Sequence, residues 1–164
     1  MVKNFLLLGL LILNACGLTP LHQKKHYDAG IFANIRIAQV SGVEKLKIKK
    51  KILDILELNP SEEYLYELKI NYNRNSNSLG IARDGISYRY GIDYSLSYNL
   101  IDSKKNFEIA NDNITLQSSY EVSDSEFSNF MTGYKADDDI ENQLIEELKN
   151  RIYLDLKSYQ NAHQ

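Results

Sequence analysis

Cysteine is all but missing from this sequence: the single copy, Cys16, leaves no partner for a disulfide within the chain. Whatever holds the fold together must come from its core. Tryptophan is absent and proline occurs only twice. Long apolar runs are missing too. The longest, residues 5–13, falls well short of the roughly 20 residues that a membrane-spanning helix needs. No sign of charge dominates: 19 Lys and Arg stand against 22 Asp and Glu, a net charge of −3, which argues against nucleic acid as a partner. The three histidines, His22, His26 and His163, lie near the chain ends, with no carboxylate or cysteine at metal-ligand spacing. No nucleophile elbow, phosphate loop or dinucleotide fingerprint is present. The chain is therefore expected not to be an enzyme and to need no cofactor.

What is present begins at the N-terminus. Lys3 precedes the apolar run, and Leu13-Asn14-Ala15-Cys16-Gly17 closes it with a small residue just before the cysteine. This is the pattern of a signal peptide cut ahead of a cysteine that then carries lipid. Residues 1–15 are read as the signal peptide, Cys16 as the lipid attachment site, and 16–30 as a tether without hydrophobic periodicity. Residues 31–164 are enough for one domain with a single core. Lipidation uses up the only thiol, so a cysteine nucleophile or cysteine metal site is excluded.

The rest of the chain is rich in tyrosine, 12 residues, and its periodicities alternate between two kinds. Residues 31–40 read as a first strand. Ser41 and Glu44 have the spacing of a capping box, and residues 43–58 then follow a helical period with Leu46, Ile48, Ile52, Leu53, Ile55 and Leu56 on one face, stopped at Asn59-Pro60. The lysines Lys45, Lys47, Lys49, Lys50 and Lys51 are read mostly as a solvated face with snorkelling stems, the alternative being a patch for lipid phosphates. Tyr64, Tyr66, Leu68, Ile70 and Tyr72 repeat with period two, and residues 73–78 read as a polar turn. The clearest pattern runs from Ile86 to Leu100, where Tyr88, Tyr90, Ile92, Tyr94, Leu96 and Tyr98 alternate with Arg89, Gly91, Asp93, Ser95, Ser97 and Asn99; Gly91 is expected to mark a bend or bulge. A hairpin loop at 102–106 leads to a last strand from Phe107 to Val122, with a bulge expected near residues 111–113. A helix is predicted over 136–159, its apolar face built from Ile140, Leu144, Ile145, Leu148, Ile152 and Leu156 and its first turn carrying Asp137, Asp138 and Asp139, where carboxylates favour the helix dipole. The predicted fold is α+β, in the order β-α-β-β-β-α: a four-stranded, mainly antiparallel sheet with two helices packed on one face.

The start of the mature chain, Cys16-Gly17-Leu18-Thr19-Pro20-Leu21, resembles that of the LPS-assembly lipoprotein LptE family, with His22 standing where an aromatic residue is usual. The order of elements is similar to the family's, as are Asp84-Gly85, Arg89 and the Tyr-rich run to Leu100-Ile101-Asp102. The resemblance implies an outer-membrane lipoprotein anchored on the periplasmic side. It would form a complex with an LptD-like β-barrel, as plug and assembly factor, and assist lipopolysaccharide transport without covalent chemistry. Arg83 and Arg89 are then candidates for lipid A phosphate contacts, because a guanidinium matches phosphate in a bidentate manner. The polar sheet face would suit the polar lumen of a large barrel. The other readings are an accessory lipoprotein of a different periplasm-spanning lipid-transport system, or a periplasmic enzyme with a deep polar pocket; for the sheet face, the alternative is that it simply meets water.

Overall fold

The computed structural model describes residues 29–58, 64–81 and 87–163. Its elements are α1 (Ala29–Phe32), β1 (Ile35–Gly42), α2 (Lys45–Leu56), β2 (Tyr66–Ile81), β3 (Ser87–Asp102), β4 (Phe107–Glu121) and α3 (Glu126–Ala162). The four strands lie side by side in chain order. β1 pairs parallel with β2, with α2 as the crossover, while β2–β3 and β3–β4 are antiparallel. The expected fold class holds, with α1 as an addition in front. Ala29 and Gly30, counted with the tether from sequence, belong to α1.

Period-two alternation decides which way the sheet faces. Tyr66, Leu68, Ile70 and Tyr72 of β2, and Ile92, Tyr94, Leu96, Tyr98 and Leu100 of β3, are buried. They meet Ile48, Ile52 and Leu56 of α2 and Leu144, Ile145, Leu148, Ile152 and Leu156 of α3, so both helices share one face. Their intervening neighbours, from Lys69 to Asn75 and from Asp93 to Asn99, line the open face.

Several local expectations need correction. β3 runs 16 residues without a break at Gly91. That glycine is instead where Leu79 of the neighbouring strand packs, and a Cβ there would lie 2.9 Å from a Leu79 methyl. The register between β2 and β3 shifts further along, between Ser78 and Ile81, where Leu79 of β2 and Tyr88 of β3 are left out of the pairing. β2 itself does not turn at residues 73–78 but continues as strand, because β3 offers it a paired edge along its whole length. The bulge in β4 falls at Ile109, where Leu100 pairs with Ala110 and Ile101 with Glu108, slightly earlier than expected.

The capping box at Ser41 does not form. Ser41 is still strand, and its hydroxyl donates to the Ile70 carbonyl. The chain turns at Gly42, whose φ of 98° and approach to the Tyr72 carbonyl (1.7 Å from a would-be Cβ) admit no side chain. Glu44 then starts α2 in a left-handed conformation without a side-chain cap. α2 stops at Leu56 with Glu57 also left-handed; the expected stop at Asn59-Pro60 lies outside the described residues.

The largest difference is in α3. Ser125 caps it, accepting from the Ser128 N–H, and the helix starts at Glu126, ten residues before the predicted start at 136. Asp137, Asp138 and Asp139 therefore stand well inside the helix, and the dipole argument for them fails.

Lengths divide the molecule. β1 has 8 residues and leaves β2 at the Gly42–Tyr72 pair, whereas β2 has 16 and runs on to Ile81. α2 starts at that same level and runs back down. Above it, among the described residues, only β2, β3, β4 and the first turns of α3 continue. The lower part is thus a two-layer body, and the upper part an extension lacking β1 and α2.

Candidate functional site

Of the residues singled out from sequence, Cys16 and Arg83 lie outside the described residues. Arg89 sits on β3 in the extension, exposed on the open face, where its guanidinium donates to Ser119 Oγ at 2.9 Å. Its partner across the ladder is Glu121 of β4. Among the described residues no second cation gathers around it on this face of the extension.

The open face is a long polar surface. Asn71, Asn73, Asn75 and Asn77 of β2 stand opposite Ser97, Ser95, Asp93 and Gly91 of β3, which in turn face Asn113, Thr115, Gln117 and Ser119 of β4. The side chains bond to one another across the strands: Ser95 and Ser97 both donate to Asn113 Oδ1 at 3.0 Å, Gln117 donates to Asp93 at 2.8 Å, and Asn99 donates to Glu108. Arg36 and Glu67 close one side with an ion pair of 2.7 Å. Such cross-strand pairs each add a modest stabilisation and keep the surface flat. Amides and hydroxyls dominate its middle, so it offers many donors and acceptors with little net charge.

Four of the 12 tyrosines, Tyr66, Tyr72, Tyr94 and Tyr98, are buried on the helix-covered face. The Tyr66 hydroxyl accepts from Gln160 at 3.4 Å. The other three reach carboxylates of α3. Tyr72 donates to Glu141 at 3.4 Å, Tyr98 to Asp155 at 2.7 Å, and Tyr94 to Asp137. Burial, reinforced by these acidic neighbours, pushes all three phenols above the ordinary range, so they stay protonated donors. Arg74 joins Asp137 through two hydrogen bonds of 2.9 and 3.0 Å.

Between the helices Glu141, 1% exposed, takes Lys47 at 3.0 Å and Lys51 at 2.7 Å, and Lys51 also reaches Asp138. Burial alone would lower the two ammonium groups, but the carboxylates outweigh it and leave both raised. The Lys51 ammonium holds the Asp138 carboxyl below its usual value. Two of the lysines assigned to solvent are thus the cations that allow a carboxylate into the core, and the acidic run at 137–138 serves the same packing.

One concavity, an open groove of about 700 Å3, follows residues 39–42 and 44–47 at the end of β1 and the start of α2. Its lining mixes Val40 and Leu46 with Glu44, Lys45 and Lys47, and no nucleophile and base come together there. No helix among the described residues is long and apolar enough to cross a membrane.

Sequence reasoning missed one feature. Phe127, Phe130, Met131 and Tyr134 form an i, i+3, i+4, i+7 stripe on α3, and all four are exposed, at 75%, 68%, 47% and 55%. The spacing is readable in the sequence, but the predicted helix began after it.

No protein-family model matches the chain, and no curated protein matches it. Solved structures do resemble it. Lipoprotein B from Nitrosomonas europaea has a TM-score of 0.61 at 13% identity, covering 79% of this chain and 91% of that one. The minor lipoprotein from Acinetobacter baumannii has a TM-score of 0.53 at 11% identity, covering 73% and 93%. Rare lipoprotein B from Shewanella oneidensis has a TM-score of 0.51 at 12% identity, covering 77% and 99%. At these identities the likeness is one of fold. The four-stranded sheet with two long helices on one face is a fold this chain shares, over most of its length, with bacterial lipoproteins.

Proposed function

We propose that the protein is a lipid-anchored outer-membrane lipoprotein of the LptE kind. In this reading Cys16 carries the lipid and the folded body lies on the periplasmic side. The body associates with an LptD-like β-barrel, as plug and assembly factor, and assists lipopolysaccharide delivery to the cell surface. It performs no covalent chemistry.

The observation that carries the proposal is a coincidence of two independent features: a lipobox at Leu13–Gly17 heads a chain whose fold is that of bacterial lipoproteins. The open sheet face supports the barrel in particular. A plug must meet a lumen wall of polar side chains. A flat surface of amides and hydroxyls, already tied to one another, can exchange water for such a wall at small desolvation cost, whereas buried charges would be costly. Arg89 lies at the upper end of that face, where a guanidinium would be available to an anionic phosphate.

Depletion tests the proposal. Removing the protein should lower the amount of folded barrel in the outer membrane and the lipopolysaccharide at the surface. Unchanged barrel and surface lipopolysaccharide after depletion would contradict it. A defect in inner-membrane lipid transport instead would favour an accessory lipoprotein of another transport system.

A further inference from the structure

We propose that the notch where β1 and α2 stop is a docking site for an extended segment of a partner protein, which adds as a strand to the free edge of β2 and packs apolar side chains beneath the start of α3. This goes beyond the barrel reading and stands without it, since it rests on a different face of the molecule.

The edge comes first. β1 accompanies β2 only as far as Tyr72, where the Val43 N–H makes the last bond, 3.1 Å to the Tyr72 carbonyl. Among the described residues no strand pairs with β2 beyond that point on that side. The Tyr72 carbonyl points toward the edge, and strand backbone groups alternate in direction with period two. The N–H and C=O of Arg74 and Ser76 therefore point the same way. An open row of this kind is what strand addition uses.

The wall is the apolar stripe. It continues the face of α3 that lower down carries Asp138 and Glu141, which pair with lysines of α2. Lys47 of α2 lies 6.0 Å above the Tyr134 ring, so Tyr134 faces the place where α2 begins. Phe130 stacks on Tyr134 at 6.4 Å, which extends the wall upward. Gly133, on another side of the helix, seats it on the Tyr120 ring. On the floor between edge and wall Arg74 reaches across to Asp137, and above it the helix-facing residue of β2 is the small, exposed Ser76.

Continuity selects the occupant. The notch prolongs, on the same strand edge and the same helix face, the interface on which β1 and α2 are seated. An element that continues it must bring backbone to pair with β2 and apolar side chains to cover Phe127, Phe130 and Met131. An extended segment with apolar residues at alternate positions does both. A second copy pairing edge to edge would bring Arg74, Ser76 and Ser78 to the helix side and leave the stripe uncovered.

The test uses the full chain, expressed in its own host, with a photo-cross-linking benzophenone residue at Ser76, at Phe130 or, as control, at exposed Asp54 of α2. The expected result is that Ser76 and Phe130 both attach to one short segment of a single protein and that Asp54 does not. Ser76→Pro removes an edge N–H while sparing the bonds to β3, a change that edge strands tolerate. In that variant, folded by circular dichroism, the Phe130 adduct should fall by roughly tenfold. Phe130 adducts left unchanged by Ser76→Pro would overturn the proposal. So would adducts to lipid alone, to another copy of this chain or to unrelated segments, or no adduct from either position.

Discussion

The body and the extension are built from the same three long strands and the same helix, yet they differ in what covers them. In the body, strand alternation delivers Leu68, Ile70, Tyr72, Tyr98 and Leu100 to a face that two helices close. In the extension the same alternation reaches Tyr90, which is only partly buried, one helix arrives instead of two, and Tyr88, at a register shift against β2, is 53% exposed. Burial is therefore set by how far the short elements reach, since an apolar stripe gains nothing until a second surface meets it. The body holds the fold, and the extension presents surface.

The comparison can be broken first where packing is densest. Leu148→Ala in α3, at a site with 0% exposure, should cost about 3 kcal/mol in denaturant unfolding. Glu141→Ala should cost a similar or slightly smaller amount, also about 3 kcal/mol, because it strips Lys47, Lys51 and Tyr72 of a shared acceptor. A loss under about 1 kcal/mol in either variant would show that the interhelix layer does not carry the stability assigned to it.

Acid gives a smaller effect with a definite sign. The Asp138 carboxyl is held below its ordinary value of 3.8 by Lys51. Burial would raise Asp102, but the Lys105 and Lys104 N–H groups and the Tyr159 hydroxyl leave it lowered. A depressed carboxylate stabilises the fold above its unfolded pKa and loses that contribution as pH falls through its folded value. Tm should therefore be steady down to about pH 4 and then fall, and Asp138→Asn should flatten part of that fall. A Tm that dropped between pH 6 and 5 would point to other groups. The smallest change is expected in the extension: Phe130→Ser should alter stability by no more than about 0.5 kcal/mol, since the ring already faces solvent. A loss of 2 kcal/mol or more would mean that the stripe is covered within the chain itself.

This division also explains what was legible in the sequence. The alternation from Tyr88 to Leu100 and the helical spacing of Ile48, Ile52 and Leu56 each report one buried face, and both elements were placed from them. Residues 73–81 of β2 have no such face: Asn73, Asn75, Asn77, Ser76 and Ser78 are turn-forming types, and only pairing with β3 makes them strand. The start of α3 was hidden for a related reason, since Asn129, Thr132 and Gly133 are poor helix formers and its stripe has no partner that would require it. The same holds for the carboxylates. By spacing Glu141 falls on the apolar face, three and four residues before Leu144 and Ile145, and Asp137 stands one turn before it; the tyrosines and lysines that partner them come from the sheet and α2 and are not visible in the helix pattern. Arg89 was legible as an exposed cation, but nothing in the strand pattern could say which groups would surround it.

The most direct test of the central claim is co-purification. The full chain, tagged at its C-terminus and extracted from outer membranes in mild detergent, should bring down one large β-barrel protein in roughly equal amount, and Cys16→Ser should greatly reduce that recovery by taking the protein off the membrane. Recovery of the intact, lipidated chain without any barrel would contradict the account.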